Sequence, residues 1–242
     1  MMDYTNRSYR NRTSLRGMVS FHVAVKETDL WIKADRKLEK ECTDLIFSCR
    51  YQIESYIKSH PEFLTSLLPY PQDIYAPRIV RTMIEEAGKS GVGPMASVAG
   101  MIAQYVGNGL LQMSEQVIVE NGGDIYLKAN RPVTVSIFAG ESPLSEKIGM
   151  LIPLRNMPVG VCSSSGKVGH SFSMGKSDAV CIVSSSAALA DSAATSIGNR
   201  IKSKKDLEQV ANWAGEIGGI LGGVAIIDDG MATWGDIELV GL

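Results

Sequence analysis

The 242-residue sequence has no long hydrophobic run, no CxxC pair and no excess of basic residues. Its longest apolar runs are broken by glycine, serine or charge well before the roughly 20 residues that a membrane span requires. The four cysteines, Cys42, Cys49, Cys162 and Cys181, lack the spacing of a zinc site or a disulfide framework. A formal net charge of −2 argues against a general nucleic-acid binder. These absences point to a soluble protein that binds neither nucleic acid nor membranes.

The start of the chain has no apolar segment of the kind found in secretory signal peptides, which predicts a cytoplasmic protein. The basic cluster of the sequence also lies here, at Arg7, Arg10, Arg12 and Arg16. It is compatible with contacts to phosphates, but chain termini are commonly poorly ordered, which favours a loosely ordered segment over residues 1–16. Because no linker or change in composition divides the rest, we expect a single domain over residues 1–242.

The pattern of apolar residues predicts alternating groups of strands and helices. Period-2 alternation and short apolar runs predict strands at 18–25, 30–34, 116–120, 124–128, 131–138, 159–163 and 179–184. Helical spacing predicts helices at 36–58, 79–87, 94–106, around Asp191 and at 206–218, and a last hairpin turns near Asp229 and Gly230. Proline-rich residues 60–77 read as a loop with at most one helical turn. Strand pairs with short connections predict an α+β fold, with helices on one face of a mostly antiparallel sheet.

Asp191 and Thr195 stand four residues apart in a stretch, 184–201, that consists almost entirely of small residues. On a helix, residues at this spacing share one face. A carboxylate and a hydroxyl there suit a hard cation such as Mg²⁺, which keeps several waters and shares its coordination shell with substrate phosphates. The alternative is a small-residue packing helix in which Asp191 is an ordinary solvated acid.

Two glycine turns next to predicted strands and helices are candidate ligand contacts. Residues 91–93 precede a helix that opens with Pro94, where free backbone N–H groups and the helix dipole favour an anion. A tight turn before a close-packed helix is the favoured alternative there. Residues 121–124, with the sequence Asn-Gly-Gly-Asp, allow a ligand to approach the backbone closely, and a simple hairpin turn explains them equally well.

The third candidate is the long loop at 163–178, which contains several hydroxyl side chains, His170, two lysines and three glycines. Loops longer than a routine connection are more often involved in binding than shorter ones. His170 is the only one of the three histidines whose neighbours suggest a site. A surface loop with a histidine of no functional importance is the alternative.

Three segments in this order, VIVENGGDIYL, VCSSSGKVGHSFSMG and LADSAATSI, resemble the ApbE family of flavin transferases. The phrases VKETDLWIKAD, HPEF, GPMASVAGMIAQYVG and GHSFSMGKSDAV are similar to an uncharacterised cytoplasmic branch of that superfamily, over nearly the whole chain. The resemblance to true transferases rests on scattered motifs, mostly in residues 90–200. It implies a T-fold-like α+β domain that binds FAD and, with Mg²⁺, cleaves its pyrophosphate and attaches FMN to a Ser or Thr of an acceptor protein.

The resemblance also implies roles for particular residues. Metal binding falls to Asp191, Thr195 and, in the region of Pro94, the backbone carbonyl of Ala96. His170 is implied as an acid, a base or a positioning group. Contacts with the flavin nucleotide are implied for two glycine turns and the base of the long loop, namely Gly93, Pro94, Asn121, Gly122, Gly123, Asp124, Ser164, Ser165, Gly166 and Gly175.

One departure from the transferases affects the prediction of activity. They usually carry a Lys-Gly pair at the opening of the helix near Pro94, whereas this chain has no lysine between Gly93 and Asn121. A missing cation weakens charge neutralisation at the phosphates in the transition state. Three hypotheses follow: a Mg²⁺-dependent FMN transferase, a non-catalytic binder of a flavin or another nucleotide or heterocycle, and a structural oligomer with an empty cleft. The first two imply a small-molecule ligand, and a homo-oligomer is compatible with all three.

Overall fold

The computed structural model describes residues 17–166 and 175–242, and these residues form two antiparallel sheets with helices packed on the larger one. The strands in this part of the chain are β1 Val19–Val25, β2 Thr28–Ala34, β3 Val117–Asn121, β4 Asp124–Lys128, β5 Val133–Ser136, β6 Ile148–Ile152, β7 Val159–Ser164, β8 Ala179–Ser184, β9 Ile220–Ile227, β10 Gly230–Gly235 and β11 Glu238–Gly241. The larger sheet has the order β1-β2-β3-β4-β7-β8-β9-β10, and the smaller has the order β11-β6-β5. Each paired strand runs antiparallel to its neighbour.

The helices cover one face of the larger sheet, as the sequence predicts. They are α1 Glu39–Ser59, α2 Glu62–Thr65, α3 Arg78–Lys89, α4 Val98–Leu110, α5 Ala187–Arg200 and α6 Val210–Gly215, with 3-10 turns at Pro94–Ser97, Leu154–Asn156 and Lys204–Gln209. Strand residues such as Leu30 and Ile32 alternate toward this face and are fully buried there. Cys42 and Cys49 on α1 pack in the same core as small apolar groups. None of the helices in the described ranges is long and apolar enough to cross a membrane.

Close backbone contacts hold α5 between the larger sheet and α4. A Cβ atom added to Gly160 on β7 would lie 2.3 Å from the Cα of Ala187, the first residue of α5. A Cβ atom added to Gly100 on α4 would lie 2.2 Å from the carbonyl oxygen of Ala187. Because only glycine fits at both positions, α5 approaches its neighbours at backbone distance. The helix that carries Asp191 is therefore held tightly in place.

The smaller sheet covers the opposite face of the larger one. Met150 and Ile152 of β6, together with Ile137 just after β5, form a second buried core with Leu127 and Val159 of the larger sheet. The sequence predicts a strand at 131–138, but the structure has the shorter β5 and adds β6, which the apolar pattern did not identify. The predicted last hairpin extends to residue 240, and the structure divides its second arm into β10 and β11, which belong to different sheets. β6 has five residues, and a strand this short carries little periodic signal.

The helix predictions were correct in type and inexact at their ends. The helix predicted at 94–106 begins with the 3-10 turn Pro94–Ser97 and continues as α4 to Leu110. The helix predicted at 206–218 consists of the 3-10 turn Lys204–Gln209, which Ser203 and Asp206 close with a capping box, followed by α6. The loop predicted at 60–77 contains the one-turn helix α2.

Candidate functional site

Asp191 connects the middle of α5 to the first turn of α4. Its Oδ2 atom accepts a hydrogen bond of 2.9 Å from the backbone N–H of Gly100, and the N–H of Ala99 also donates to this carboxylate. Both amides belong to the N-terminal turn of α4, which has no side-chain cap of its own because Ser97 Oγ donates to the carbonyl of Pro94 at 2.7 Å. Asp191 is therefore a half-buried, hydrogen-bonded acid at a helix N-terminus and not a freely solvated one.

The turn between β3 and β4 meets the same end of α4. Asn121 and Asp124 face each other across the turn, and Gly122 and Gly123 have φ angles of 68° and 116°, which favour glycine. Asn121 Nδ2 donates to the carbonyl oxygen of Ala99 at 3.1 Å. No described atom lies within 4 Å of a Cβ added to either glycine, so the space above the turn is open.

Asp124 is a buried carboxylate on the helix-facing side of the larger sheet. It is 8% exposed, and its Oδ1 atom accepts from the backbone N–H of Ser163 on β7 at 3.3 Å. Cys162, the residue before Ser163 on β7, is also buried, and its Sγ atom donates to the carbonyl of Ala187 at 3.3 Å. Asp124 and Cys162 are therefore buried and hydrogen-bonded to each other, and the half-buried Asp191 lies within electrostatic reach of both.

Burial governs the ionisation of this cluster. It raises the pKa of Asp124 to about 7, although the hydrogen bond from Ser163 opposes the shift. Burial, together with repulsion by Asp124, also raises the pKa of Asp191 well above its ordinary value. Neither carboxylate has an ion-pair partner among residues 17–166 and 175–242. Two carboxylates in this position are stable either when protonated or when a cation is bound.

The raised pKa values predict an unusual pH dependence of stability. In EDTA, we expect the free energy of unfolding to fall by on the order of 2 kcal/mol between pH 5 and pH 8. The contribution of a carboxyl group with a raised folded-state pKa is fully present below its unfolded pKa, near 4, and is lost as pH rises through about 7. Urea denaturation across this range, with Asp124→Asn as the matched variant, measures the effect. If the free energy of unfolding changed with pH equally in the two proteins, the prediction would be contradicted.

Thr195 and Ala96, the other two residues predicted to bind metal, lie close to Asp191 in the fold. Thr195 is one turn further along α5, is half-buried, and makes no side-chain hydrogen bond within the described part of the chain. Ala96 is in the 3-10 turn Pro94–Ser97, which packs against both α3 and α5. Metal binding by the three residues stays a prediction.

Gly93 has a clear packing role. Its N–H donates to the carbonyl of Leu67 at 3.0 Å and is not free to bind a phosphate, and a Cβ atom at Gly93 would lie 1.8 Å from the carbonyl oxygen of Ser66. This contact explains why position 93 is a glycine, and it agrees with the alternative of a tight turn before a close-packed helix. Contact of Gly93 and Pro94 with a nucleotide stays a prediction.

The base of the long loop lies on the C-terminal half of α5. The N–H of Gly166 donates to the carbonyl of Ser177 at 2.9 Å, and a Cβ atom at Gly175 would lie 1.8 Å from the carbonyl oxygen of Gly198. Thr195 is therefore placed between Asp191 and the loop base. Residues 167–174, which include His170, lie outside the described residues.

Two hydroxyl groups at this loop base are buried without a hydrogen-bond partner among the described residues, those of Ser164 and Ser177. Both oxygens would lie 3.7 Å from a Cβ atom on Gly198, so both hydroxyls lie beside the same residue of α5. Buried polar groups normally have a protein, water or ligand partner.

Two groups at the site were not identified from the sequence, namely Ser177 and the backbone amide of Gly100. A glycine inside the helix predicted at 94–106 was the available signal for Gly100, since such a residue usually has a packing reason.

Two open surface clefts among the described residues lie elsewhere. One, of about 550 Å³, is lined by Asp35 and residues 111–115. The other, of about 390 Å³, is lined by residues 72–74 and by side chains of α3. The Asp191 cluster therefore borders neither of these clefts, and the long loop beside it includes residues outside the described ranges.

Comparison with known proteins gives consistent results. A family model described as AbpE bacteria matches residues 10–214. The chain is 41% identical over 217 residues to a UPF0280 protein of Methanocella arvoryzae, covering 89% of this chain and 88% of that protein. The residues matched by the family model therefore include both glycine turns, the long loop and α5.

Solved structures of similar fold include two flavin transferases. The apo form of the Pseudomonas stutzeri flavinyl transferase ApbE has a TM-score of 0.59 at 14% identity, covering 90% of this chain and 93% of that one. The Vibrio cholerae flavin transferase ApbE has a TM-score of 0.58 at 13% identity, covering 90% of this chain and 96% of that one. At this level of identity the likeness establishes the α+β fold and not the activity.

Proposed function

We propose, from the premise that the chain belongs to the AbpE bacteria family, that it binds a flavin nucleotide and transfers FMN from FAD to a protein hydroxyl with the help of Mg²⁺. The observation that carries this proposal is the bond from the first turn of α4 to Asp191, a carboxylate that also lies within the electrostatic reach of the buried Asp124. A cation bound here would relieve the repulsion between the buried Asp124 and the half-buried Asp191. The fold shared with the two flavin transferases makes a flavin nucleotide the first ligand to test.

The chemistry of the available donor atoms fits Mg²⁺. The carboxylate of Asp191, the hydroxyl of Thr195 and the carbonyl of Ala96 are hard oxygen ligands, which Mg²⁺ prefers, and three protein ligands leave positions for water and phosphate oxygens. When bound, Mg²⁺ would neutralise part of the negative charge that develops on the diphosphate during transfer. Asp191 keeps acceptor capacity beyond its bonds to the amides of α4, since an ionised carboxylate has about four lone-pair sites.

Other residues of the chain have separate tasks in this proposal. The open turn at Gly122 and Gly123 lets the nucleotide approach the backbone of β3 and β4, and Ser164, Ser165, Gly166 and Gly175 border it at the loop base. The acceptor oxygen attacks the phosphorus of the FMN moiety, the bond from that phosphorus to the oxygen of AMP breaks, and AMP leaves. His170 is proposed to take the acceptor's proton or to position the acceptor.

Replacement of Thr195 tests the metal site. We expect Thr195→Val to lower Mg²⁺-dependent release of AMP from FAD by about 10-fold or more, because one lost ligand interaction of 1.4 kcal/mol gives this factor. Thr195→Ser keeps the hydroxyl and should retain most of the activity. The control is Thr82→Val, on the exposed side of α3, which should release AMP at the unchanged rate. Equal rates for Thr195→Val and the unsubstituted protein would contradict the assigned role.

A second candidate is a binding protein without transfer activity. The absence of lysine between Gly93 and Asn121 favours it, because no side chain there supplies positive charge at the phosphates. In this case FAD or FMN at 100 times its dissociation constant should still stabilise the fold by about 2.7 kcal/mol. Stabilisation without AMP release would favour the binder, and mass spectrometry of the natively purified protein would identify a retained molecule.

A further inference from the structure

Two side chains connect α4 and α5 in opposite directions. Asp191 on α5 accepts from the N–H of Gly100 in the first turn of α4, at 2.9 Å. Gln104, one turn further along α4, accepts through its Oε1 atom from the N–H of Ala187, the first residue of α5, at 2.6 Å. Each helix therefore caps the N-terminal end of the other, where backbone N–H groups have no partner within their own helix.

The spacing of these two bonds sets the register of the helices. Gly100 and Gln104 are four residues apart on α4, and their partners on α5 are also four residues apart, in the opposite order. The helices are therefore antiparallel at this contact, and the two bonds lie about 6 Å apart along the axes, the rise of four helical residues. One bond alone would allow α5 to rotate or slide about it. Two bonds at this separation fix both movements.

Ala187 is also held from the side of the larger sheet. Its carbonyl oxygen accepts from Cys162 Sγ at 3.3 Å, and its Cα would lie 2.3 Å from a Cβ atom added to Gly160. The bond to Gln104 therefore ties α4 to a residue that the sheet already fixes. Because Asp191 follows Ala187 by one turn of the same helix, the position of the Asp191 carboxylate depends on this anchor.

We infer that Gln104 is a positioning residue for the carboxylate of Asp191. Its amide oxygen is bound to the N–H of Ala187, so Gln104 acts on the candidate site through α5. The consequence for metal binding rests on the proposed function: α5 presents Asp191 to Mg²⁺ in one fixed orientation. Replacement of residues that orient a metal ligand without binding the metal commonly changes metal affinity by about 10- to 100-fold.

Calorimetric titration of the full chain with MgCl₂, in the absence of FAD, tests this consequence. Gln104→Met keeps the length of the side chain and its preference for a helix but removes the amide oxygen. We expect this variant to bind Mg²⁺ about 10-fold more weakly. Gln104→Glu keeps an acceptor at the N-terminus of α5, where negative charge is favoured, and should bind Mg²⁺ at least as tightly as the unsubstituted protein.

The matched control is Ser186→Ala, at the same end of α5. Ser186 Oγ accepts from the N–H of Leu189 at 3.3 Å, and this side chain makes no hydrogen bond to α4 within the described part of the chain. The substitution therefore removes a cap of α5 without releasing the helix from α4. Its affinity for Mg²⁺ should be unchanged. An equal loss of Mg²⁺ affinity in Gln104→Met and Ser186→Ala would overturn the inference, because Gln104 would then act only as a helix cap.

Hydrogen exchange of the Gly100 amide in EDTA tests the positioning without metal. In Gln104→Met we expect this amide to exchange about 10-fold faster than in Ser186→Ala, since α5 no longer holds Asp191 against it. Equal exchange in the two variants would overturn the inference, because both would then only destabilise the fold. The two measurements separate the proposals. An unsubstituted protein that does not bind Mg²⁺ would contradict the proposed function, whereas the exchange of Gly100 decides the role of Gln104.

Discussion

Replacing Asp191 with asparagine should abolish Mg²⁺-dependent release of AMP from FAD, with a loss of about 100-fold or more. The substitution leaves an oxygen that accepts the N–H of Gly100 but removes the charge that would hold the metal. A loss of about 2.7 kcal/mol in transition-state stabilisation corresponds to this factor. The measurement is AMP release at saturating FAD over a Mg²⁺ series. Unchanged turnover would rule out the proposed role of this carboxylate.

The same substitution should have the opposite effect on stability. In EDTA at pH 8, we expect Asp191→Asn to raise the free energy of unfolding by about 1 kcal/mol, because a neutral amide removes the repulsion with Asp124. A substitution that only disturbed the fold would lower both activity and stability. Asp236→Asn is the control, since this exposed carboxylate pairs with Arg155 far from α5. Asp236→Asn should change neither the rate of AMP release nor the free energy of unfolding by a measurable amount.

Gly100→Ala should destabilise the protein by about 3 kcal/mol, the upper part of the range for overpacking. The added Cβ would lie 2.2 Å from the carbonyl oxygen of Ala187 and 2.9 Å from the Cβ of Asp191. Because the first contact is with backbone, no side-chain rotation relieves it and α4 must move away from α5. This movement should also break the hydrogen bond between Asp191 and the first turn of α4. Urea denaturation measures the destabilisation, and FAD-induced stabilisation measures the damage to the site.

The control for this substitution is Gly88→Ala in α3. No described atom lies within 4 Å of a Cβ at Gly88, and its backbone is helical. Alanine should therefore stabilise the protein by about 0.5–1 kcal/mol, the ordinary gain over glycine inside a helix. A similar loss of stability in Gly100→Ala and Gly88→Ala would show that the contact with Ala187 does not cause the destabilisation.

Regular periodicity made most of the fold predictable from the sequence. The hairpin of β1 and β2 alternates apolar and polar residues, and α1 repeats its buried residues at helical spacing. Both signals are contained within a few consecutive residues, and the structure confirms both. The smaller sheet was not predicted as a separate sheet, because β6 is short and its pairing with β5 and β11 depends on residues far apart in the chain.

The candidate site was predictable only in part, for the same reason. Asp191 and Thr195 share a helix face by their spacing alone, and the Gly122–Gly123 turn follows from its sequence. Nothing local indicates that Asp124 lies beside Asp191, because that proximity requires β4 and β7 to pair and α5 to pack over them. The burial of the Ser164 and Ser177 hydroxyls beside α5 has the same origin.

The sequence by itself determined the α+β class, the helix that carries Asp191 and Thr195, and the resemblance to flavin transferases. Only the tertiary structure decided that the Asp191 carboxylate binds the amides of α4, that the buried carboxylate of Asp124 acts on it electrostatically, and that five large apolar side chains between α1 and α3 stay exposed. The physical reason is that turn chemistry and helical period act over a few residues. Burial and charge repulsion depend on which distant elements pack together.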